Sequence, residues 1–263
     1  MITDEERLSR ARMLLGGPAM TAIQAAKVII FGIGGVGSWC AEALVRTGVR
    51  HLTIVDGDCV SASNINRQLM ATVSTIGRPK VEVLRRRLLD IAPEADIVAR
   101  CEVFCRDTLN RFFDCGDGEG ALCSPYDCII DAIDSLPDKM LLIKTACSTD
   151  AFFVSSMGAA LKTDPTRIQT AEFAQVHGCA LARALRRRFK SAGTRPLRPF
   201  TCVFSDEPGS NVEELGEDYA KGAQRPSHVN GSLMHVTAAF GLTLAGLVIR
   251  HLSAVPSPSG VRL

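Results

Sequence analysis

Short apolar runs alternate with longer amphipathic stretches along most of the chain. Val28–Phe31, Leu52–Val55 and Phe152–Ser156 are nearly continuous apolar runs, the pattern of strands buried on both faces of a parallel sheet. Tyr126–Asp134 is a similar run that ends in two carboxylates, Asp131 and Asp134. Asp96–Phe104, Arg167–Phe173 and Thr201–Phe204 read as further strands. Between them the period lengthens to that of a helix. Residues 4–24 read as helical, as does Ser38–Thr47, which Gly48 closes as a C-cap. Gly77-Arg78-Pro79-Lys80 opens a helix with Val81, Leu84, Leu88 and Ile91 at helical spacing. Thr108–Phe113 reads as a short helix, and Lys139–Cys147, Cys179–Lys190 and Gly231–Arg250 as longer ones. This alternation predicts an α/β fold: a doubly wound, mostly parallel sheet with helices on both faces.

The sharpest feature is the junction of the first strand with the helix after it. Gly32-Ile33-Gly34-Gly35-Val36-Gly37 follows the strand at once. Gly32 permits a tight turn, Gly34 lets backbone N–H groups approach a phosphate, and Gly37 lets the helix pack on the strand. The helix N-terminus adds a dipole that favours an anion. Asp56 ends the next strand, where a carboxylate can accept hydrogen bonds from ribose hydroxyls. The unit predicts a nucleotide site, and by itself it suits NAD or ATP.

Composition narrows the class. The chain has 263 residues, 46% hydrophobic and 22% charged, enough for a sizeable soluble core. A net charge of +2 is too small to imply a polyanionic partner by itself, so its distribution matters more. Arg183, Arg186, Arg187, Arg188, Lys190, Arg195 and Arg198 form a stretch without an acid, on an amphipathic helix and the loop after it. Such a stripe is either a solvated face or a surface for a phosphate backbone. The ten cysteines include no CxxC pair, so neither zinc nor a disulfide framework is expected. The N-terminus, MITDEERLSRAR, carries acids and no apolar core, unlike a secretory signal or a transit peptide. Leu233–Ile249 has no formal charge but is short for a membrane span, and is expected to be a buried helix on the sheet.

Two further groups are candidates for chemistry. The polar stretch after Asp56 should cross the C-terminal edge of the sheet, where ligands bind in open α/β folds. Its Arg67, with Lys80 beyond it, is either surface charge or a pair of cations aimed at a triphosphate. Asp134 could bind Mg²⁺ in the cleft or cap the helix that begins near Pro137. Asp206–His228 is expected to be a long mobile loop over the site, Cys115–Pro125 a surface loop, and the tail disordered.

Taken in order, GxGGVGS, Asp56-Gly-Asp, Asn64-x-x-Arg67-Gln68, Gly77-x-Pro79-Lys80 and Asp131-Ala-Ile-Asp134 resemble the E1-like (ThiF, MoeB and HesA) adenylating superfamily. Its members have a Rossmann-like fold and activate a carboxylate as an acyl-adenylate. The resemblance covers roughly residues 7–160 and disfavours an NAD dehydrogenase. GIGGVGSWCAEALVRTG, DAIDS with a Lys-containing helix, and ALARALRRRFKS with CVFSDE are similar to the tRNA threonylcarbamoyladenosine dehydratase branch over nearly the whole chain.

The resemblance implies ATP and Mg²⁺ as cofactors. It implies that Gly32 and Gly37 build the turn, that Gly34 and Gly35 line the phosphates, and that Asp56 holds the ribose. Asn64, Arg67 and Lys80 would contact phosphates, Gln68 would support the site, and Asp134 would bind Mg²⁺. Arg10, in Arg7-Leu-Ser-Arg10, matches an arginine that reaches the ATP of a neighbouring subunit, which implies a homodimer. The catalytic set would be Asp134, Arg67, Lys80 and Arg10. The implied reaction is ATP-dependent cyclisation of threonylcarbamoyladenosine in tRNA, with the basic stripe against the anticodon arm. The implied location is the cytoplasm, or for a eukaryotic source the mitochondrial outer membrane. One domain over residues 1–263 is expected, with a helical arm (1–26), a nucleotide core (27–160), a tRNA-facing insert and loop (161–230), a closing helix (231–250) and a tail (251–263).

Two other readings remain at this level. One is adenylation of the C-terminal glycine of a ubiquitin-like or sulfur-carrier protein. Many superfamily members carry a nucleophilic cysteine in the loop before the last helix, and Asp206–His228 has none. A sulfur-relay or redox partner is therefore not supported. The other is a non-catalytic nucleotide-binding scaffold, against which the full set of cations and Asp134 argues.

Overall fold

The computed structural model describes residues 4–113, 124–213 and 230–254. The expected surface loop at 115–125, the loop after Val212 and the tail therefore lie wholly or mostly outside the described residues. Seven strands form one sheet: β1 (Lys27–Phe31), β2 (His51–Val55), β3 (Asp96–Arg100), β4 (Cys128–Asp131), β5 (Phe152–Ser156), β6 (Ile168–Glu172) and β7 (Thr201–Ser205). Their order is β3-β2-β1-β4-β5-β7-β6, parallel throughout except where β6 runs antiparallel to β7. The order reverses between β1 and β4, which opens a crevice at their C-terminal ends. Of the stretch expected as an insert, Ile168–Glu172 and Thr201–Ser205 form β6 and β7 of the same sheet.

The helices are α1 (Asp4–Leu15), α2 (Gly17–Ala25), α3 (Gly37–Thr47), α4 (Lys80–Ile91), α5 (Leu136–Cys147), α6 (Ala180–Ser191) and α7 (Met234–Ser253). Alternate strand residues serve two cores. Val28, Ile30, Leu52, Ile54 and Ile130 pack under α3, α4 and α7 in an aliphatic layer. Ile29, Phe31, Phe153, Cys202 and Phe204 face α5 and α6 in a layer rich in phenylalanine. Burial pushes the thiols of Cys40 and Cys202 well up, so these cysteines act as small hydrophobes.

Two boundaries differ from the periodicity. The helix expected over 4–24 is two helices, because Gly16 adopts φ +82° and Pro18 begins a new first turn. The strand expected over 96–104 stops at Arg100, whose carbonyl accepts the N–H of Asp56. Phe104 then turns inward, its ring 4.8 Å from that of Phe31.

α7 is long and apolar enough to cross a membrane, yet Val236, Phe240, Leu244 and Val248 are wholly buried in the aliphatic core. It presses on α3 so closely that a Cβ at Gly241 would lie 2.4 Å from the Val36 carbonyl oxygen. It is a core helix, as the sequence suggested.

Candidate active site

The glycine turn stands where the strand order reverses. Gly32 has φ +88°, and a Cβ there would lie 2.6 Å from the Ala132 carbonyl oxygen, just beyond β4. A Cβ on Gly37 would fall 1.9 Å from the Gly32 carbonyl oxygen. These two glycines are required by the fold itself. Gly34 differs: a Cβ there would meet only the Gln68 amide nitrogen, at 3.9 Å. The space above Gly34 is open, a cradle that a side chain would fill. Gly35 is enclosed by Thr237 of α7 at 3.2 Å and the Arg67 stem at 3.3 Å.

The crossover from Asp56 to Pro79 is tied down over this turn. The Ser38 hydroxyl donates to the Gly34 carbonyl (2.7 Å) and accepts the Leu69 N–H (3.3 Å). The Trp39 indole N–H donates to the Arg67 carbonyl (3.1 Å). Asn66 donates its amide to the Ser232 carbonyl (2.8 Å), joining the crossover to the segment before α7. Sequence reasoning missed Ser38, Trp39 and Asn66. For Ser38 and Trp39 the one signal was chemical: a hydroxyl or an indole N–H taken out of water needs a partner.

Asp56 ends β2 beneath the turn. One carboxylate oxygen accepts the Ile33 N–H (2.7 Å) and the other the Asp58 N–H (2.9 Å). Burial pushes its pKa up, against the pull of Lys80 and the two N–H groups. Lys80 is not the open cation expected. It is 6% exposed, with Nζ 2.7 Å from Asp58 Oδ2 and 3.8 Å from Asp56 Oδ1. Asp58, which sequence reasoning gave no role, is its main partner. Arg67 is half-buried, and its guanidinium donates to the Ser63 carbonyl (2.8 Å) and the Asn66 side-chain oxygen (2.9 Å). Asn64 accepts the Ser61 N–H (3.1 Å) with its side-chain oxygen, so that oxygen caps its own turn. Gln68 is buried, and its side-chain oxygen has no partner among the described residues. Such an atom suits a ligand donor over the turn.

Asp134 lies just past β4, exposed, and its carboxylate forms no hydrogen bond or ion pair among the described residues. It does not cap α5. Ser135 holds the N-cap position, with its hydroxyl 2.6 Å from Asp138. Asp131, by contrast, is wholly buried and ion-paired to Lys139.

Arg10 is not brought to this site within the chain. It is exposed on α1, whose neighbour Arg7 bonds Asp4, Glu94 and the Val45 carbonyl, away from the glycine turn. The basic stripe divides. Arg183, Arg187, Arg188, Lys190 and Arg195 are exposed. Arg186 leans on the Phe173 ring and donates to the Phe173 carbonyl (3.1 Å). Arg198 does not belong to an open cationic surface. Its guanidinium turns inward to the Ala146 and Ala151 carbonyls, at the end of α5 and the start of β5. Among the described residues no cluster of three His, Cys, Asp or Glu has metal-site geometry.

A doubly wound sheet whose strand order reverses at a glycine turn, with Asp56 and Asp134 beside that turn, is the α/β fold of E1-like proteins. The chain belongs to the ThiF family, whose model matches residues 8–261. It is 35% identical to the tRNA threonylcarbamoyladenosine dehydratase of Bacillus subtilis over 253 residues, 94% of each chain. Identity to the Escherichia coli protein of that name is 31%, over 97% of this chain and 96% of the relative. The crystal structure of the E. coli dehydratase TcdA with AMP superposes with a TM-score of 0.81, covering 97% of each chain. Its complex with ATP superposes with a TM-score of 0.80.

Proposed function

We propose that this chain is an ATP-dependent dehydratase of N6-threonylcarbamoyladenosine in tRNA. The observation that carries the reading is the pairing of an open glycine cradle with the carboxylate of Asp134, unpartnered among the described residues, in a chain similar over 94% of its length to an enzyme of that name. ATP supplies the adenylyl group. Its phosphates suit the space over Gly34, beside the half-buried Arg67. Asp56 has lone pairs left for ribose hydroxyls after its two backbone bonds. Asp134 is the group available to Mg²⁺, a hard cation that takes one or two carboxylates together with substrate phosphates. Lys80, held between Asp56 and Asp58, sets the field at the ribose more than it contacts phosphate directly.

In the proposed reaction the threonyl carboxylate attacks the α-phosphorus and pyrophosphate leaves. A carbamoyl atom then attacks the acyl carbon, the urea N–H loses its proton, and AMP leaves with the carboxylate oxygen. No enzyme thioester is needed. Cys179 and Cys202 are buried, which fits packing better than nucleophilic work.

The stripe on α6 supports tRNA as the carrier of the substrate. Cys179, the N-cap of α6, lies beside Gly158 past the C-terminal end of β5, while Arg198 beyond the helix reaches the residue before that strand. The exposed cations therefore run along a helix about 18 Å long, from the active edge of the sheet toward the opposite one. That is a track for a phosphate backbone leading to the site, and we assign it to the anticodon arm. Arg10, exposed on α1, is assigned to the ATP of a second copy in a homodimer. The reading places the protein in the cytoplasm.

The test is nucleoside mass spectrometry after incubation with ATP, Mg²⁺ and tRNA carrying threonylcarbamoyladenosine. The expected result is ATP-dependent loss of one water from that nucleoside. No loss, with ATP still bound, would move the reading to adenylation of a protein carboxylate.

A further inference from the structure

Beneath the active edge lies an ion pair that the proposed chemistry does not use. Lys139 and Asp131 are both wholly buried, with Nζ 2.9 Å from Asp131 Oδ2. The same carboxylate oxygen accepts the Ser155 hydroxyl of β5 (2.7 Å). A buried pair of this kind adds little stability, because desolvation offsets most of its attraction. Its remaining contacts are informative. Lys139 Nζ donates to the Ile133 carbonyl (2.9 Å), and Asp131 Oδ1 accepts the Ile133 N–H (3.0 Å). Both backbone polar groups of Ile133 are thus gripped by the pair. Residue 134 comes next, and the Ala132–Ile133 peptide lies against Gly32: a Cβ on Gly32 would meet the Ala132 oxygen at 2.6 Å and the Ile133 nitrogen at 3.0 Å.

We propose that Lys139 is a positioning residue that, with Asp131 and Ser155, fixes the backbone carrying Asp134 relative to the glycine turn. The inference rests on the role given to Asp134 under the proposed function. A carboxylate on a short loop, with no hydrogen bond or ion pair of its own among the described residues, would otherwise sample many positions. Misplacement by about 1 Å can slow a reaction roughly 100-fold. Lys139 reaches this loop from within α5, and the adjacent Asp138 accepts the Ser135 hydroxyl, so the loop is clamped at Ile133 and at Ser135, on either side of Asp134.

The test is the double variant Asp131→Asn/Lys139→Met, which removes the charge pair without leaving either charge alone. Three readouts are taken: Tm, the Mg²⁺ concentration giving half-maximal ATP binding by calorimetry, and tRNA-dependent ATP–pyrophosphate exchange per folded molecule. We expect Tm within a few degrees of wild type or higher, a several-fold rise in the Mg²⁺ midpoint, and exchange reduced about 100-fold. Single Ser155→Ala should give a smaller change of the same kind. A Tm drop with an unchanged Mg²⁺ midpoint and exchange per folded molecule within threefold of wild type would make the pair merely structural and overturn the proposal. If wild type itself shows no exchange with modified tRNA, the functional reading fails, and the Mg²⁺ midpoint still decides the role of Lys139.

Discussion

The two sides of the active edge handle charge in opposite ways. At the glycine turn, Lys80 is almost wholly buried between two carboxylates, and Asp56 is held by two backbone N–H groups. On α6, Arg183, Arg187, Arg188 and Lys190 stand in solvent. A small ligand that must react needs charges fixed before it arrives, since reorganisation during the reaction would raise the barrier. A polymer that must only be held needs charge density, and long mobile side chains supply it. The two surfaces share a sheet but are built to different tolerances.

Four experiments break or sharpen this contrast. The largest effect is expected from Asp134→Asn. Turnover should fall on the order of 10³-fold with Tm unchanged, because the side chain supports no other described residue. Turnover near wild type would remove Asp134 from the chemistry. Gly37→Ala should come next. Its Cβ has no room beside the Gly32 carbonyl, so urea denaturation should show a loss of about 1–3 kcal/mol along with weaker ATP binding. Retained stability and binding would mean that the turn is softer than it looks.

The triple variant Arg183→Ala/Arg187→Ala/Lys190→Ala should leave kcat alone. The salt dependence of tRNA binding, log K against log salt, should become shallower by about 2 to 3. A loss of kcat instead would place these cations in the reacting site and dissolve the contrast. The smallest effect concerns Glu42 of α3, which pairs with Arg46 on its own helix and with Arg87 of α4. Burial pushes its pKa up, but the two arginines outweigh that and hold it below the usual 4.5. A depressed carboxylate contributes stability above its unfolded pKa and loses it as pH falls through the folded one. Melting curves below pH 4.5 should therefore show the gap between wild type and Glu42→Gln closing as acid is added. A gap constant with pH would mean that the arginines do not hold Glu42.

Much of the fold was legible because its signals are local. The apolar runs of β1, β2 and β5 are bounded within a residue of where they were read, and Gly48 caps α3 with φ +114°. What was hidden depends on partners distant in sequence. Nothing near Arg100 says that β3 ends there, since the cause is a phenylalanine cluster assembled from Phe31, Phe104, Phe112 and Phe113. The candidate site divides in the same way. The glycines and Asp56 announce themselves by spacing. The burial of Lys80, the inward turn of Arg198 and the grip of Lys139 on Ile133 do not, because a cation's sequence neighbours do not say whether it will meet water or a carbonyl.

The contact between α7 and the glycine turn bears on how the protein is made. Gly35 and Val36 are synthesised early, but Thr237 and Gly241, which brace them, come near the far end of the chain. At ribosomal speeds roughly ten to forty seconds separate the two events. During that interval the first βαβ unit is out of the exit tunnel with one side of its nucleotide turn bare, and the apolar face of α3 is open to chaperones. Affinity for ATP should therefore appear late and in one step, when α7 docks on the turn.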